Sequence, residues 1–196
     1  MTVVVCALGD SITAGSPFWD PDPAVRAGIG HALDERSQWE WWAAQADPRL
    51  EFRNHGVYGQ RADEIAGRLD AAVGGADVLV VQGGINDVAQ GHPVESAAER
   101  LRWMVRRGLE LGLGVVVADV LPWNNGWPDA AGPIRELNAL IADIARDESV
   151  LLLPFHDTLE DPDRPGRMRD EWTHADGDHP SVEGYRRLGE LAFRLP

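Results

Sequence analysis

The sequence is poor in positive charge. It has 18 basic residues, every one an arginine, against 32 acidic residues, and its formal net charge is -14. The arginines are scattered among the acids, so no basic patch offsets the repulsion that a phosphate backbone would meet. The composition therefore disfavours nucleic acid as a partner, and we assign the acidic excess to solubility.

Cysteine and long apolar segments are also scarce. Cys6 is the only cysteine, so no internal disulfide can form, and its place in an apolar run predicts a buried thiol. Neither a basic region nor a long apolar segment precedes the first polar motif, and we expect neither a signal peptide nor a membrane span. These features predict a cytoplasmic protein that does not bind membranes.

Two patterns alternate along the chain. The 196 residues, 44% of them hydrophobic, suit one compact domain over residues 1–196. Short runs rich in Val and Leu predict strands buried on both faces, and the stretches between them have helical spacing. The alternation predicts an α/β fold, a three-layer α/β/α sandwich around a doubly wound, flavodoxin-like parallel sheet of about five strands. The predicted strands are residues 3–8, 50–53, 78–82, 115–120 and 150–155, and the predicted helices are 37–46, 62–73, 94–111, 134–146 and 182–193.

Polar residues follow the predicted strands, where the ligands of an open parallel sheet bind. Ser11 follows the first strand in a tight turn into a helix, where backbone N–H groups can support a nucleophile. After the second strand, a glycine of segment 54–59 can bring its N–H close to a substrate oxygen, because no side chain intervenes. After the third strand, the amide of Asn86 can donate to the same oxygen.

A carboxylate and a histidine precede the last helix. Asp176 stands three residues before His179, a spacing that lets one loop present both side chains. His179 can then accept the proton of Ser11 while Asp176 holds its other ring nitrogen. Asp178 is the alternative partner, although the side chain of an immediate neighbour usually points away. The sequence thus predicts a catalytic triad of Ser11, His179 and Asp176.

These segments together resemble the GDSL, or SGNH, family of esterases and lipases. The resemblance runs from near residue 5 to near residue 190. Any one block is a weak signal, but four blocks in the family's order, each after a predicted strand or before the last helix, make a specific one. The matching blocks are residues 9–11, 54–59, 84–87 and 176–179.

The family resemblance implies a carboxylic ester hydrolase that works through an acyl-enzyme and needs no cofactor. It also implies an oxyanion hole made by the N–H of Ser11, the N–H of Gly59 and the side chain of Asn86. Nothing in the chain resembles an exposed apolar lid, so we expect small or short-chain esters, with O-acetylated sugars and aryl esters among them. Acyl selectivity resides in loop geometry, so the sequence leaves open the acyl chain length and the choice among sugar esters, aryl esters, lysophospholipids and thioesters, as well as the oligomeric state.

Several residues are candidates for substrate binding. Arg61 occupies a position where the family often has Thr or Ser; it either solvates the start of a helix or reaches the site and favours an anionic substrate. Trp19, Trp123, Asn124 and Trp172 lie near the candidate site in sequence. Their rings and amide suit a sugar or aryl ester, and the alternative is that the tryptophans only pack loops.

Two other functions are less well supported by the sequence. The acidic and histidine residues of the C-terminal third fit neither a calcium loop nor a zinc spacing, so we expect no metal. The hydroxyl-rich segment 11–16 approximates the phosphate loop of a flavodoxin, which makes an FMN-binding electron carrier the alternative function. That alternative gives Asn86 and the Asp176–His179 pair no task.

Overall fold

A parallel five-stranded sheet forms the centre of the molecule. The computed structural model describes all residues from 1 to 196. The strands lie in the order β2-β1-β3-β4-β5, so the chain reverses direction across the sheet at β1 and opens a crevice beyond the carboxyl ends of β1 and β3. The strands are β1 (Val3–Gly9), β2 (Leu50–Gly56), β3 (Val78–Val81), β4 (Gly114–Ala118) and β5 (Leu151–Leu153).

Helices cover both faces of the sheet, which confirms the predicted α/β class. The α-helices are α1 (Ser11–Ala14), α2 (Pro23–Gly28), α3 (Trp39–Ala46), α4 (Ala62–Ala66), α5 (Leu69–Ala72), α6 (Ile85–Ala89), α7 (Val94–Glu110), α8 (Ala131–Asp147), α9 (Phe155–Leu159) and α10 (Val182–Arg187). Short 3-10 turns occupy Glu35–Ser37 and Asp170–Trp172, and a π-helical turn, Leu188–Ala192, follows α10.

The predicted helices differ from the observed ones at several boundaries, including 182–193, of which α10 takes only Val182–Arg187. The single helix expected over 62–73 is divided into α4 and α5, and the break falls at Gly67 and Arg68. Glycine is a poor helix former, so ending a helix at Gly67 sacrifices little helical stability. The helix expected after Ser11 forms as the short α1, whereas α2, α6 and α9 were not predicted, because five or six residues are too few to show a period.

Each face of the sheet has its own apolar core. Alternate residues of a strand point to opposite faces, so Cys6 and Leu8 join the core under α4, α5, α7 and α8, while Val5 and Ala7 join the core under α3, α9 and α10. Trp39 of α3 is fully buried in the second core. Cys6 is buried as predicted, and burial raises the pKa of its thiol to about 12. None of the helices combines the length and apolar character that a membrane span requires.

Candidate active site

Ser11 lies at the start of α1, directly beyond the carboxyl end of β1. Asp10 caps this short helix, since its Oδ1 accepts a hydrogen bond of 2.9 Å from the Ile12 amide. Gly9 must be glycine, because a Cβ there would lie 2.2 Å from Thr13 Oγ1 and 2.4 Å from Gln82 Oε1. The turn therefore fixes the backbone position from which the Ser11 hydroxyl projects.

His179 lies between Ser11 and Asp176. Its Nε2 is 3.1 Å from Ser11 Oγ, and its Nδ1 is 2.8 Å from Asp176 Oδ2. An ionised carboxylate can only accept, so Nδ1 carries the proton and Nε2 is free to accept the proton of the serine. The ring is largely buried, which limits competition from solvent for both hydrogen bonds.

Asp176, rather than Asp178, occupies the position beside the histidine ring. Its Oδ1 accepts from the amides of Asp178 at 2.9 Å and His179 at 3.1 Å. Burial alone would raise the pKa of this carboxyl, but the hydrogen bonds from the His179 ring and from both amides outweigh burial and hold the pKa well below its usual range. Asp178 points elsewhere, and its Oδ1 accepts from Trp123 Nε1 at 2.7 Å and Asn125 Nδ2 at 2.8 Å.

The expected oxyanion donors lie on the two neighbouring strand ends. Asn86, in the first turn of α6, lines the same cavity as Ser11 and His179. Gly59, in the turn after β2, has φ +76°, a conformation that side chains other than glycine rarely adopt. Its N–H donates to no acceptor within the protein, which leaves it available for a ligand.

Arg68 connects these loops, and sequence reasoning missed it. Its guanidinium donates to the carbonyl of His55 at 2.9 Å, to the carbonyl of Gly9 at 3.1 Å and to Gln60 Oε1 at 2.8 Å. A single half-buried side chain thus ties the ends of β1 and β2 to the turn that carries Gly59. Its position in a helical stretch gave no signal, because the contacts are with residues far away in sequence.

Two cavities open beside His179. The smaller cavity has a volume of about 180 Å³ and the larger cavity about 370 Å³, and they share Tyr58, Asp178 and His179. The smaller cavity is lined by Ser11, Ile12, Tyr58, Ile85, Asn86, Ala89, Trp123, Asp178 and His179. The larger cavity is lined by Ser16, Pro17, Trp19, Asp20, Val25, Ile29, Tyr58, Asp176, Asp178 and His179.

Two of the substrate-binding candidates line these cavities, Trp123 the smaller and Trp19 the larger. Arg61 lines neither. It precedes α4, where its guanidinium lies 3.2 Å from Asp63 and 3.5 Å from Glu64. Its amide donates to Glu64 Oε2 at 3.0 Å, so the geometry matches the expectation that Arg61 serves the start of a helix.

Asn124 and Trp172 also lie outside both cavities. The Asn124 amide donates to the Met168 carbonyl and accepts from the Met168 amide, which joins two loops. Trp172 packs against Arg187, whose guanidinium lies 3.9 Å from the centre of the ring, and against Arg169. Tyr58 and Asp20, by contrast, line cavities without having been predicted, although Tyr58 adjoins Gly59 in sequence.

The acidic residues of the C-terminal third mostly contact arginines. Arg164 lies 2.7 Å from Asp161 and 3.0 Å from Asp170. One group of potential metal ligands does form, with His156, Asp157 and Glu160 within 4.8 Å of one another, and it belongs to neither cavity.

Residues 7–187 match the model of the GDSL-like Lipase/Acylhydrolase family. The chain belongs to this family. It is therefore an ester hydrolase, and the flavodoxin-like alternative loses its support. A search of curated proteins gave no significant match.

Several solved structures share the fold of this hydrolase. A lipolytic protein of the G-D-S-L family from Desulfitobacterium hafniense is 25% identical, with a TM-score of 0.78 and coverage of 96% of this chain and 97% of that chain. The lipase/acylhydrolase from Enterococcus faecalis is 21% identical, with a TM-score of 0.73 and coverage of 97% and 93%. A mutant of an acetyl-xylooligosaccharide esterase from Geobacillus is 19% identical, with a TM-score of 0.73 and coverage of 95% and 90%.

Proposed function

We propose that this hydrolase is a serine esterase that cleaves small or short-chain carboxylic esters through Ser11, His179 and Asp176. The observation that carries the proposal is the continuous chain of contacts from Asp176 Oδ2 to His179 Nδ1 at 2.8 Å and from His179 Nε2 to Ser11 Oγ at 3.1 Å. This order of groups is what general-base activation of a hydroxyl requires.

The proposed reaction has two halves. Ser11 Oγ attacks the ester carbonyl carbon while His179 Nε2 takes the hydroxyl proton, and the oxyanion is held by the amides of Ser11 and Gly59 and by Asn86 Nδ2. His179 then returns the proton to the departing alcohol oxygen, which leaves an acyl-serine. A water molecule then attacks the acyl carbon while His179 takes its proton. The bond to Ser11 Oγ breaks, His179 returns the proton to that oxygen, and the carboxylic acid is released.

The size of the smaller cavity supports short acyl groups. Its volume of about 180 Å³ falls below the range of about 300–1,000 Å³ typical of drug-sized ligands. Ile12, Ile85 and Ala89 supply apolar wall beside Ser11, which suits a short hydrocarbon chain. Acetyl esters of sugars and of aryl alcohols are the first substrates to test, since the similar Geobacillus protein is an acetyl-xylooligosaccharide esterase.

Labelling with a fluorophosphonate probe tests the nucleophile. The probe should attach to Ser11, as located by mass spectrometry, and label should be lost in Ser11→Ala. Ser16→Ala is the matched control, because Ser16 is a second buried serine that lines the adjacent larger cavity. Label on Ser16, or label that persists in Ser11→Ala, would remove Ser11 from the mechanism.

We also propose where the enzyme works and what it binds. It is a cytoplasmic enzyme whose partner is a small-molecule ester and not a nucleic acid. The net charge of -14 supports the absence of nucleic-acid binding, because it opposes binding to a polyanion. Fractionation of cells that produce the protein tests the cytoplasmic location.

A further inference from the structure

We propose that the larger cavity binds the alcohol part of the ester and selects alcohols that carry a positive charge. This inference rests on the proposed esterase function and adds the class of substrate. It concerns the ten residues lining the larger cavity, from Ser16 in the loop after α1 to His179 in the triad loop.

The position of the cavity assigns it to the alcohol. The larger cavity is lined by His179 and Asp176 but not by Ser11 or Asn86, which line the smaller cavity. In the proposed reaction the acyl carbon is bonded to Ser11, whereas the alcohol oxygen must receive its proton from His179. His179 lines both cavities, and the larger one includes neither Ser11 nor Asn86, which hold the acyl part in the proposed reaction, so we assign the departing alcohol to the larger cavity.

Asp20 gives this cavity a carboxylate that forms no ion pair within the protein. The residue is only 5% exposed, and its Oδ1 accepts from the Asp22 amide at 2.8 Å. Its Oδ2 accepts no hydrogen bond and the carboxylate has no salt bridge in the protein, yet Asp20 is part of the cavity wall. A buried carboxylate without a cationic partner is unfavourable, and a cationic ligand would relieve that penalty.

The nearest arginine is already engaged. Arg26 Nη1 donates to the backbone carbonyls of Asp20 and Pro21, and the guanidinium lies 4.6 Å from the centre of the Trp19 ring. It forms no ion pair with the Asp20 carboxylate, although its charge acts to lower the pKa of that carboxyl. Burial raises the pKa of Asp20, which is the expected response of a carboxyl in such surroundings.

The rest of the wall has the same electrostatic character. Asp176 and Asp178 also line the larger cavity, and no arginine does. Tyr58 adds an aromatic ring, whose face attracts cations, and the Trp19 ring already attracts one, the guanidinium of Arg26. Carboxylates together with aromatic rings are a combination that suits a quaternary or primary ammonium group, and they repel a carboxylate or a phosphate.

Three acetate esters with similar alcohol groups test the charge preference. They are acetylcholine, which is cationic, its neutral isostere 3,3-dimethylbutyl acetate, and the anion 4-acetoxybutanoate. We expect kcat/KM to fall in that order, with about a tenfold advantage of acetylcholine over the neutral ester at low salt that shrinks as salt rises. Equal rates for the three esters, or the reverse order, would overturn the inference.

Asp20→Asn shows whether this carboxylate is responsible. The amide keeps an oxygen that can accept from the Asp22 amide, so the loop is conserved while the charge is removed. The variant should lose most of the preference for acetylcholine, measured as the ratio of its kcat/KM to that of the neutral ester. Asp22→Asn is the control, because Asp22 lies two residues away, caps α2 and lines neither cavity. An equal effect of the two variants would refute a role specific to Asp20.

A binding measurement separates this inference from the proposed function. Choline is titrated into Ser11→Ala and followed by tryptophan fluorescence, a readout that needs no catalysis. Choline binding that Asp20→Asn abolishes supports the charged site even if no ester is hydrolysed, in which case only the esterase proposal fails. Hydrolysis of the neutral ester without choline binding overturns the inference and leaves the esterase proposal standing.

Discussion

Asn86 Nδ2 donates a hydrogen bond of 2.9 Å to the backbone carbonyl of Gln60. This bond joins the turn after β2 to the start of α6, which follows β3. It uses one of the two amide protons of Asn86 and leaves the other for the oxyanion role proposed above, with the orientation of the amide already restricted. Gln60 is in turn held by Arg68, so three strand ends share one network.

The first prediction concerns the Asn86 amide. Asn86→Ala should lower kcat by about 10² to 10³, the usual effect of losing one oxyanion donor, with little change in KM. Steady-state kinetics with a neutral acetyl ester measures it. Asn138→Ala is the control, because Asn138 also hydrogen-bonds the backbone at a strand end, where its amide pairs with Val120. A kcat loss of similar size in both variants would mean that the Asn86 effect is structural.

The second prediction separates the two candidate partners of His179. Asp176→Asn should lower kcat by about 10⁴, the effect known for the equivalent change in a serine protease, because an amide can stabilise the wrong tautomer of the imidazole. Asp178→Asn should change kcat with a neutral ester far less, since its Oδ1 contacts Trp123 and Asn125 instead. The opposite ranking would make Asp178 the orienting residue.

The third prediction assigns a positioning task to Arg68. Arg68→Met removes the hydrogen bonds to the Gly9 and His55 carbonyls and to Gln60. The loops that carry Ser11 and Gly59 should then shift, and kcat should fall about ten- to a hundredfold with KM less affected.

A matched variant and a rescue test that assignment. Arg53→Met is the control, because Arg53 also donates to a backbone carbonyl, that of Gly74, away from both cavities. Arg68→Lys should restore part of kcat. A thermal shift in Arg68→Met without a change in kcat would show that the residue only stabilises the fold.

The fourth prediction concerns stability and pH. Burial raises the pKa of Asp119 to about 7, against an ordinary value of 3.8, even though its Oδ1 accepts from the His156 amide at 2.7 Å. Between these two values the folded protein keeps a proton that the unfolded chain releases, so stability falls as pH rises through that interval. A shift of about 3 units corresponds to roughly 4 kcal/mol at most.

Urea unfolding of Asp119→Asn at pH 5 and pH 8 checks this sign. The variant retains an acceptor for the His156 amide but cannot titrate, so its stability should fall less between the two pH values than that of the natural protein. Asp129→Asn, which removes an exposed carboxylate, should leave the pH dependence unchanged. An unchanged pH dependence in Asp119→Asn would show that Asp119 is ionised in the folded state throughout.

The sequence by itself was sufficient for the fold class and for the group of candidate residues around Ser11. Apolar runs long enough to be buried strands alternate with helical periods, and parallel strands end at one edge of a sheet. For that reason Ser11, Gly59 and Asn86, each directly after a strand, lie on neighbouring strand ends. The spacing of three between Asp176 and His179 is local as well, so it was visible in the sequence.

Only the tertiary structure decided which other side chains face the cavities. Arg61, Asn124 and Trp172 were near the site in sequence, yet their partners turn them toward helix ends and loops. Arg68 and Asp20 were not predicted, because their surroundings come from segments that are distant along the chain. Strand ends are positioned by the regular hydrogen bonding of the sheet, which sequence periodicity reveals. Loop side chains are positioned by particular long-range contacts, which have no period and so leave no pattern in the sequence.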